Sequence, residues 1–478
     1  MTDLLLHNGV IITMDPERRI LEGYSVAIRD GCIVAVGPAA DLAERFADAR
    51  RVDCTNKAVL PGMVDLHGYL GGSLLKSVGE HSDGVARRGL AETVLSHYTD
   101  EEWWHAEARL SAIERLKMGT TCMFSMMGGN GTRTDDMRYA RICAEELTSI
   151  GLRTRIGVGP GRPPWPRSYS NWVDGKQIEG PVSFETVIDN CDRLLGELAP
   201  GNLVDSCLAL SRIGNRNEHD PVWSADREAW VFKQAEAVRE LMAKHDVGFW
   251  THAYGNAIEY AYDEKLGLLG PKTILSHCID ISERAIGIMR DTGSSAAHHP
   301  RAARVYSYPG RCPIPELMEA GVIVALGSDT PSNHDCDIFL DMKAAVRMQR
   351  VHFRDPNLLP PGKTLEMATI DGYRALGLDH ELGSIEVGKK ADIITVDLFQ
   401  PHLVPIDMPV YRVVYQATGR DVADVVVDGR LIMQGRKLQT VDEAEVLDTA
   451  QGVYRKMVER ADLSAHTGVP DHFWGVAR

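Results

Sequence analysis

The stretch Leu60-Pro61-Gly62-Met63-Val64-Asp65-Leu66-His67-Gly68-Tyr69 joins a short apolar run to a polar and aromatic end. A run of this length and composition is typical of a buried strand. We therefore predict a strand over residues 59–66, followed directly by His67 and Tyr69.

Seven further short apolar runs follow it along the chain, and most precede a helix-like segment such as 226–243 or 315–320. These runs are residues 120–125, 153–158, 206–210, 247–251, 273–276, 294–297 and 322–327. Eight strand–helix units within about 310 residues suit a (β/α)8 barrel. The sequence predicts an α/β chain with a TIM barrel over residues 58–374.

The two ends of the chain have a different, all-strand character. Strand-like segments occupy 4–14, 24–29 and 32–36 at one end, and 388–397, 422–427 and 431–435 at the other. Neither set alone has enough strands to bury a face. We predict a small β-sandwich built from residues 1–57 and 375–440, followed by a C-terminal helix and tail over 441–478. Phe473 and Trp474 in that tail are candidates to dock on a neighbouring subunit.

Composition narrows the class of protein. The formal net charge of −15, without a basic cluster, argues against a nucleic-acid or anionic-membrane partner. No apolar run approaches the roughly 20 residues of a membrane helix, and residues 1–5 do not resemble a signal peptide. The nine cysteines contain no CxxC pair, which favours buried reduced thiols. We expect a cytoplasmic homo-oligomer that acts on a small molecule.

Polar side chains stand at the predicted strand ends, where barrels of this kind carry their chemistry. They are His67, Arg212, His252, His277, His298, His299 and Asp329. Several imidazoles and one carboxylate on one rim suit a single divalent ion, zinc first, with iron, cobalt or manganese as alternatives. Such an ion lowers the pKa of a bound water to about 7. The pattern therefore predicts a metal-dependent hydrolase.

The residues Ala58 to His67 resemble the strand-1 motif of the amidohydrolase superfamily, LPGxxxxHxH. Matching segments follow in the family's order at Thr251-His252, Leu275 to Cys278, Leu326 to Asp329 and Gly383 to Asp392. Residues 365–372 (LEMATIDG) are similar to the triazine hydrolase and S-adenosylhomocysteine deaminase branch. The resemblance covers most of the chain and implies hydrolysis of a C–N bond in a small, N-heterocyclic molecule.

The resemblance also implies roles for individual residues. His67 and His252 match metal ligands, and Asp329 matches the carboxylate that binds metal and takes the proton of the attacking water. His277 matches the histidine that contacts the water or the developing negative charge, and it is a further candidate ligand. His298 matches a strand-7 position that contacts substrate, although Ala302-Ala303 stand where the family has Ser-Asn.

Two other residues are candidates to contact substrate. Arg212 stands near the end of the fourth predicted strand, and Trp104 begins a helical stretch after an acidic first turn. For Trp104, packing inside the protein is the alternative role.

Two further positions depart from the family pattern. Tyr69 replaces the second histidine of HxH, and three interpretations stay open. The phenol ligates the metal, it donates a hydrogen bond to substrate, or the metal site is lost. Gly255 stands where the branch has a glutamate that protonates a ring nitrogen, and Glu80, His81 and His299 are candidates to replace it.

The departures keep several functions open. Deamination and cleavage of an amide, urea or carbamate are the main predictions. Hydrolysis of a thiocarbamate C–S or aryl C–Cl bond is an alternative. A metal-free barrel that only binds a ligand is the competing non-enzymatic hypothesis, because a fold does not by itself establish an activity.

Overall fold

The computed structural model describes residues 3–80, 84–127, 133–173, 175–214, 225–305, 310–332, 334–469 and 473–475, without the side chains of 84–88, 225–226 and 304. The strands, in chain order, are β1 (Leu4–Ile12), β2 (Ile20–Arg29), β3 (Cys32–Pro38), β4 (Arg50–Asp53), β5 (Lys57–Pro61), β6 (Met63–Tyr69), β7 (Thr120–Met126), β8 (Arg153–Val158), β9 (Arg167–Val173), β10 (Lys176–Val182), β11 (Val204–Arg212), β12 (Phe249–Tyr254), β13 (Thr273–Ile279), β14 (Ser295–His298), β15 (Val324–Leu326), β16 (Ile393–Asp397), β17 (Val422–Val427), β18 (Arg430–Gln434) and β19 (Lys437–Leu438).

The helices, in the same order, are α1 (Ala39–Arg45), α2 (Gly84–His97), α3 (Glu101–Lys117), α4 (Met137–Ile150), α5 (Phe184–Glu197), α6 (Ala225–His245), α7 (Ala257–Asp263), α8 (Glu283–Thr292), α9 (Pro300–Val305), α10 (Ile314–Glu319), α11 (Ile338–Phe353), α12 (Pro361–Ala368), α13 (Ile370–Ala375), α14 (Pro409–Tyr411), α15 (Glu443–Arg460) and α16 (Ser464–Thr467). Within the described part of the chain, no helix combines the length and apolarity needed to cross a membrane.

Eight parallel strands form the predicted barrel. Their order is β6-β7-β8-β11-β12-β13-β14-β15, and the amide of Asp329 donates to the carbonyl of His67 at 2.8 Å, which brings the last strand back to the first. Helices lie between successive strands, as the alternating pattern predicts. The fold prediction is confirmed: all eight predicted strands are present.

The first predicted strand, 59–66, is wrong in one respect, because it spans two strands. Lys57–Pro61 pairs with β1 and β16 in the terminal sheet, whereas Met63–Tyr69 begins the barrel. Gly62 separates them and packs so tightly that a Cβ there would lie 1.9 Å from Thr121 Oγ1. A glycine permits this close approach of the chain to β7.

Both chain ends contribute to one nine-stranded sheet. Its order is β19-β18-β17-β16-β5-β1-β2-β3, with β4 paired to β1, so β5 and β16 join the two halves. The strands form one continuously hydrogen-bonded sheet, and its description as a sandwich stays a prediction. The predicted boundary between residues 57 and 58 falls inside β5; the division of the chain into domains is otherwise a proposal.

Candidate functional site

Four polar residues meet at the carboxyl ends of the barrel strands. His67 lies in β6, His252 in β12 and His277 in β13, while Asp329 follows β15. Because parallel strands of a closed barrel end on the same rim, residues far apart in sequence converge there. All four are at least nine-tenths buried.

The imidazoles are close enough to share one ion. One nitrogen from each of His67, His252 and His277 lies within 4.8 Å of the other two. Nε2 of His67 is 3.4 Å from Oδ1 of Asp329, and Nε2 of His277 is 3.9 Å from its Oδ2. Donors that share an ion at about 2 Å stand roughly 3 to 3.5 Å apart, so the 3.4 Å pair suits common coordination.

The chemistry of this donor set also fits a metal. Neither ring nitrogen of His67 has a hydrogen-bond partner, although the side chain is completely buried. Burial lowers the pKa of His67, His252 and His277 well below 6.5, so all three are neutral at pH 7. A metal requires neutral imidazoles, and an ion would supply the partner that His67 lacks. The site can therefore hold a divalent ion.

A buried ion pair fixes Asp329 and His67 relative to each other. Asp65 accepts hydrogen bonds from Arg115 Nε at 3.1 Å, from the Ser328 amide at 2.8 Å and from Ser328 Oγ at 2.6 Å. Asp65 and Arg115 are fully buried. Ser328 precedes Asp329, and Asp65 lies two residues before His67. This network therefore links β6, the first barrel strand, to the segment that follows β15, the last one.

Two site residues have strained backbones. Asp329 has φ of +66° and His277 has φ of +70°, in the left-handed region that residues with a Cβ rarely adopt. Such a backbone costs on the order of 1–3 kcal/mol, and Asp and His are among the residues that adopt it most often. The surrounding contacts, including the hydrogen bond from the Asp329 amide to the His67 carbonyl, hold these side chains in place.

Tyr69 contacts His252 directly. The Nδ1–H of His252 donates to the carbonyl of Ser211 at 2.7 Å, so its Nε2 carries the lone pair. The Tyr69 hydroxyl donates to that Nε2 at 2.8 Å. The Tyr69 ring also lies edge-on to His67, with centroids 4.9 Å apart. The phenol oxygen therefore lies beside the predicted metal position.

Gly255 leaves an open position at the rim. Its φ is +52°, and a Cβ there would have no atom within 4 Å. The neighbouring Tyr254 stacks on His277 at 4.9 Å, and the Arg212 guanidinium lies 5.7 Å from the Tyr254 ring centroid. Arg212 is thus near the rim, and its contact with substrate stays a prediction. Glu80 is exposed, and His81 lies outside the described residues.

The two strand-7 histidines differ in their surroundings. His299 has its ring centroid 4.5 Å from that of His67 and 4.7 Å from that of His277, and its Nε2 is 2.6 Å from Ser276 Oγ. The described ring contacts include none between His298 and the site histidines. Successive side chains of an extended chain point to opposite sides, so His299 faces the site. His298 acts electrostatically on His277, and its contact with substrate stays a prediction.

Trp104 is packed inside the protein, and its contact with substrate stays a prediction. The helix α3 begins after Asp100, whose side chain accepts from the Trp103 amide. The Trp104 ring is fully buried against Trp103 and Tyr139, and its indole N–H donates to Thr99. These contacts assign Trp104 to the packing between α3 and α4.

Sequence reasoning missed two residues near the site. Trp250 is buried and stacks on His67 with centroids 4.3 Å apart. Its position two residues before His252 in one strand is the signal that could have revealed it. The charge of Asp329 acts on His334 in the following loop, and burial lowers the pKa of His334 to about 4. No pattern in the sequence singles out His334.

The buried histidines are expected to make the folded protein less stable at acid pH. Burial lowers the pKa of His298 to about 3, against about 6.5 in the unfolded chain. The unfolded chain therefore binds a proton that the folded one excludes, so stability is complete above pH 6.5 and falls as the pH drops toward 3. We expect each such histidine to lower the unfolding free energy by up to about 1.4 kcal/mol per pH unit in that window.

Urea unfolding of chelator-treated protein at pH 7, 6 and 5 measures this slope. His298→Leu should reduce this dependence of stability on pH by up to one bound proton. It should change the free energy of unfolding little at pH 7, because His298 Nε2 has no hydrogen-bond partner to lose. Equal slopes in the two proteins would contradict the assignment.

Comparison with known proteins agrees with this geometry. Residues 58–432 match the model of the amidohydrolase family, and residues 26–49 match a bacterial imidazolonepropionase-like composite domain. A 5-methylthioadenosine/S-adenosylhomocysteine deaminase of Syntrophobacter fumaroxidans is 31% identical over 95% of this chain and 98% of its own. A 5'-deoxyadenosine deaminase of Methanosarcina mazei is 28% identical over 97% of this chain and all of its own.

Solved structures give the same result. A zinc-bound adenosine deaminase of Xanthomonas campestris superimposes with a TM-score of 0.81 at 25% identity, over 96% of this chain and 99% of its own. Atrazine chlorohydrolase of Arthrobacter aurescens, at 20% identity, shares the fold with a TM-score of 0.76 over 94% of this chain and all of its own. The prediction of a hydrolase that acts on carbon–nitrogen bonds is confirmed at this level. The chain belongs to the amidohydrolase family.

Proposed function

We propose that this protein is a divalent-metal-dependent hydrolase that removes an amino group from the ring of a small N-heterocycle. The observation that carries the proposal is the buried cluster of His67, His252, His277 and Asp329 on one barrel rim. Such a cluster without an ion would leave both ring nitrogens of the buried His67 without a hydrogen-bond partner, which is costly.

In this proposal His67, His252 and Asp329 hold the ion, with zinc as the first candidate. His277 and Tyr69 are the remaining donors within reach. The ion would supply a water of pKa about 7 and polarise the carbon under attack.

The chain's own side chains handle the protons. Asp329 takes the proton of the attacking water, and its buried position raises its carboxyl pKa above 3.8, which makes it a better proton acceptor than an exposed aspartate. His277 hydrogen-bonds the negative charge that develops on the substrate. Arg212 and Tyr254 border the rim and contact the outer part of the substrate.

Adenosine-type nucleosides are the first substrates to test. Two of the relatives are named for deaminating 5-methylthioadenosine, S-adenosylhomocysteine or 5'-deoxyadenosine. The net charge of −15 also disfavours a polyanionic substrate and suits a neutral nucleoside.

A second candidate function follows from Gly255. Ring deamination benefits from an acid that protonates a ring nitrogen, and glycine has none to offer. Cleavage of a urea or carbamate C–N bond requires less help at the leaving group. Hydrolysis of a thiocarbamate C–S or an aryl C–Cl bond is the remaining enzymatic alternative.

A substrate panel distinguishes these functions. Purified protein, metal-free or loaded with zinc, iron, cobalt or manganese, is incubated with the nucleosides, ureas, carbamates, thiocarbamates and chlorotriazines. Metal-dependent ammonia release from nucleosides supports the proposal. Cleavage of a urea or carbamate without deamination of a ring supports the second function. Release of chloride from a chlorotriazine, or of a thiol from a thiocarbamate, supports the alternative. If the protein binds less than about a tenth of an equivalent of each of these metals, the remaining hypothesis is a metal-free barrel without catalytic activity.

Gly255→Glu tests the role of the open position. The new carboxyl has room at the rim, so we expect ring deamination to rise by about tenfold while carbamate cleavage changes little. The measurement is the ratio of the two kcat/KM values. Gly255→Ala is the matched control, because it carries the same backbone strain at φ of +52° without an acid. If Gly255→Glu and Gly255→Ala deaminate the nucleoside equally well, a carboxyl at position 255 does not act as the acid.

Cellular location and assembly are proposals as well. We propose a cytoplasmic homo-oligomer, to be tested by cell fractionation and by light scattering of the purified protein. Phe473 and Trp474 are 51% and 89% exposed, and they stay candidates for a subunit contact.

A further inference from the structure

We propose that Tyr69 is itself a metal ligand, as a phenolate that takes the place of an imidazole. This inference rests on the proposed metal site and concerns the identity of its donors. It assigns the ion to Nε2 of His67, Nε2 of His252, Asp329 and Oη of Tyr69, and it leaves His277 to interact with substrate and water.

The first support is the direction of the phenol. Ser211 offers only a carbonyl oxygen to His252 Nδ1, so Nδ1 carries the proton and Nε2 carries the lone pair. The Tyr69 hydroxyl donates to that lone pair at 2.8 Å. An ion bound to His252 uses the same lone pair. The phenol oxygen thus already points to the place that the ion would take.

The second support is spacing. Donors to one ion stand roughly 3 to 3.5 Å apart when each is about 2 Å from it. The Oη–Nε2 distance of 2.8 Å needs to lengthen only slightly to reach that range, and the His67 Nε2–Asp329 Oδ1 distance of 3.4 Å lies within it. Tyr69 and His67 are two residues apart in β6, so both side chains lie on the same side of the strand.

The third support is charge. Three neutral imidazoles and one carboxylate leave a divalent ion with one uncompensated positive charge in a buried site. Arg162 and Arg212 add further positive charge close to His252. A phenolate neutralises the ion, which reduces the cost of burying it. On binding, the Oη–H bond breaks, the proton passes to solvent and the Oη–metal bond forms.

Copper(II) is a probe that reports the ligand directly. A phenolate bound to copper(II) gives a charge-transfer absorption in the visible region, which imidazoles and carboxylates do not give. We expect the band in the wild-type protein with one equivalent of copper. It should be lost in Tyr69→Phe and retained in Tyr254→Phe, the matched control, whose ring stacks on His277.

Zinc affinity provides the second measurement. Tyr69→Phe should weaken zinc binding by at least about tenfold, the smallest effect usual for loss of a metal-supporting group. Tyr69→His, which restores an imidazole, should bind zinc with near wild-type affinity and show no charge-transfer band with copper. This variant separates loss of a ligand from a folding defect.

The outcomes separate this inference from the proposed function. Stoichiometric copper and zinc binding without a charge-transfer band, or with unchanged affinity in Tyr69→Phe, would overturn the tyrosine ligand and leave the metal site intact. Absence of metal binding in the wild-type protein would overturn both.

Discussion

Asp329→Asn is expected to lower kcat/KM by at least about 10³-fold on whichever substrate proves active. Asparagine preserves the size of the side chain but neither accepts a proton at pH 7 nor carries the charge that holds a cation. General-base catalysis alone contributes about 10²- to 10⁴-fold. Removal of the negative charge, 3.4 Å from His67 Nε2, adds a loss of metal affinity. The measurement is kcat/KM at saturating zinc, with bound metal determined on the same samples.

Asp335→Asn is the matched control for this variant. Asp335 lies six residues further along, is partly exposed and pairs with Arg301 at 2.5 Å, outside the cluster. We expect its activity to stay within about twofold of wild type, as is usual for changes to a partly exposed ion pair. More than a tenth of wild-type activity in fully metal-loaded Asp329→Asn would exclude Asp329 as the proton acceptor.

Hydrophobic pattern predicted the barrel well because each strand is a short apolar run between turns. It failed at the first strand, where residues 58–64 form one apolar run but belong to two sheets. What separates them is the contact of Gly62 with Thr121, about 60 residues away in sequence. The contact itself depends on how β7 packs, and the local signal of the break is the Pro61-Gly62 pair, which is typical of a turn.

The site was predictable to the extent that strand ends determine it. His67, His252, His277 and Asp329 converge because parallel strands end on one rim. The choice between His298 and His299 depends on a one-residue register, which a pattern locates less accurately than the strand itself. The hydrogen bond between Tyr69 and His252 joins β6 to β12 across the barrel, so it depends on closure of the sheet and not on either segment.

The network of Asp65, Arg115 and Ser328 yields the largest expected effect on stability. Arg115→Met should lower the free energy of unfolding by about 3–5 kcal/mol, because it leaves the Asp65 carboxylate fully buried without its cation. Urea unfolding at pH 7 measures the change. Since Asp65 also binds Ser328, which precedes Asp329, we expect activity to fall in the fraction that stays folded.

Two comparisons show whether the buried charge is the cause. The double variant Asp65→Asn/Arg115→Met removes both charges, so it should recover at least half of the lost stability, with the oxygen of the introduced amide still able to accept from Ser328. Arg141→Met breaks an exposed pair with Glu197 and should cost no more than about 1 kcal/mol. If Arg115→Met cost as little as Arg141→Met, the ion pair would not be what holds the first strand to the last. Closure of the barrel would then depend on packing and on the backbone hydrogen bond between Asp329 and His67.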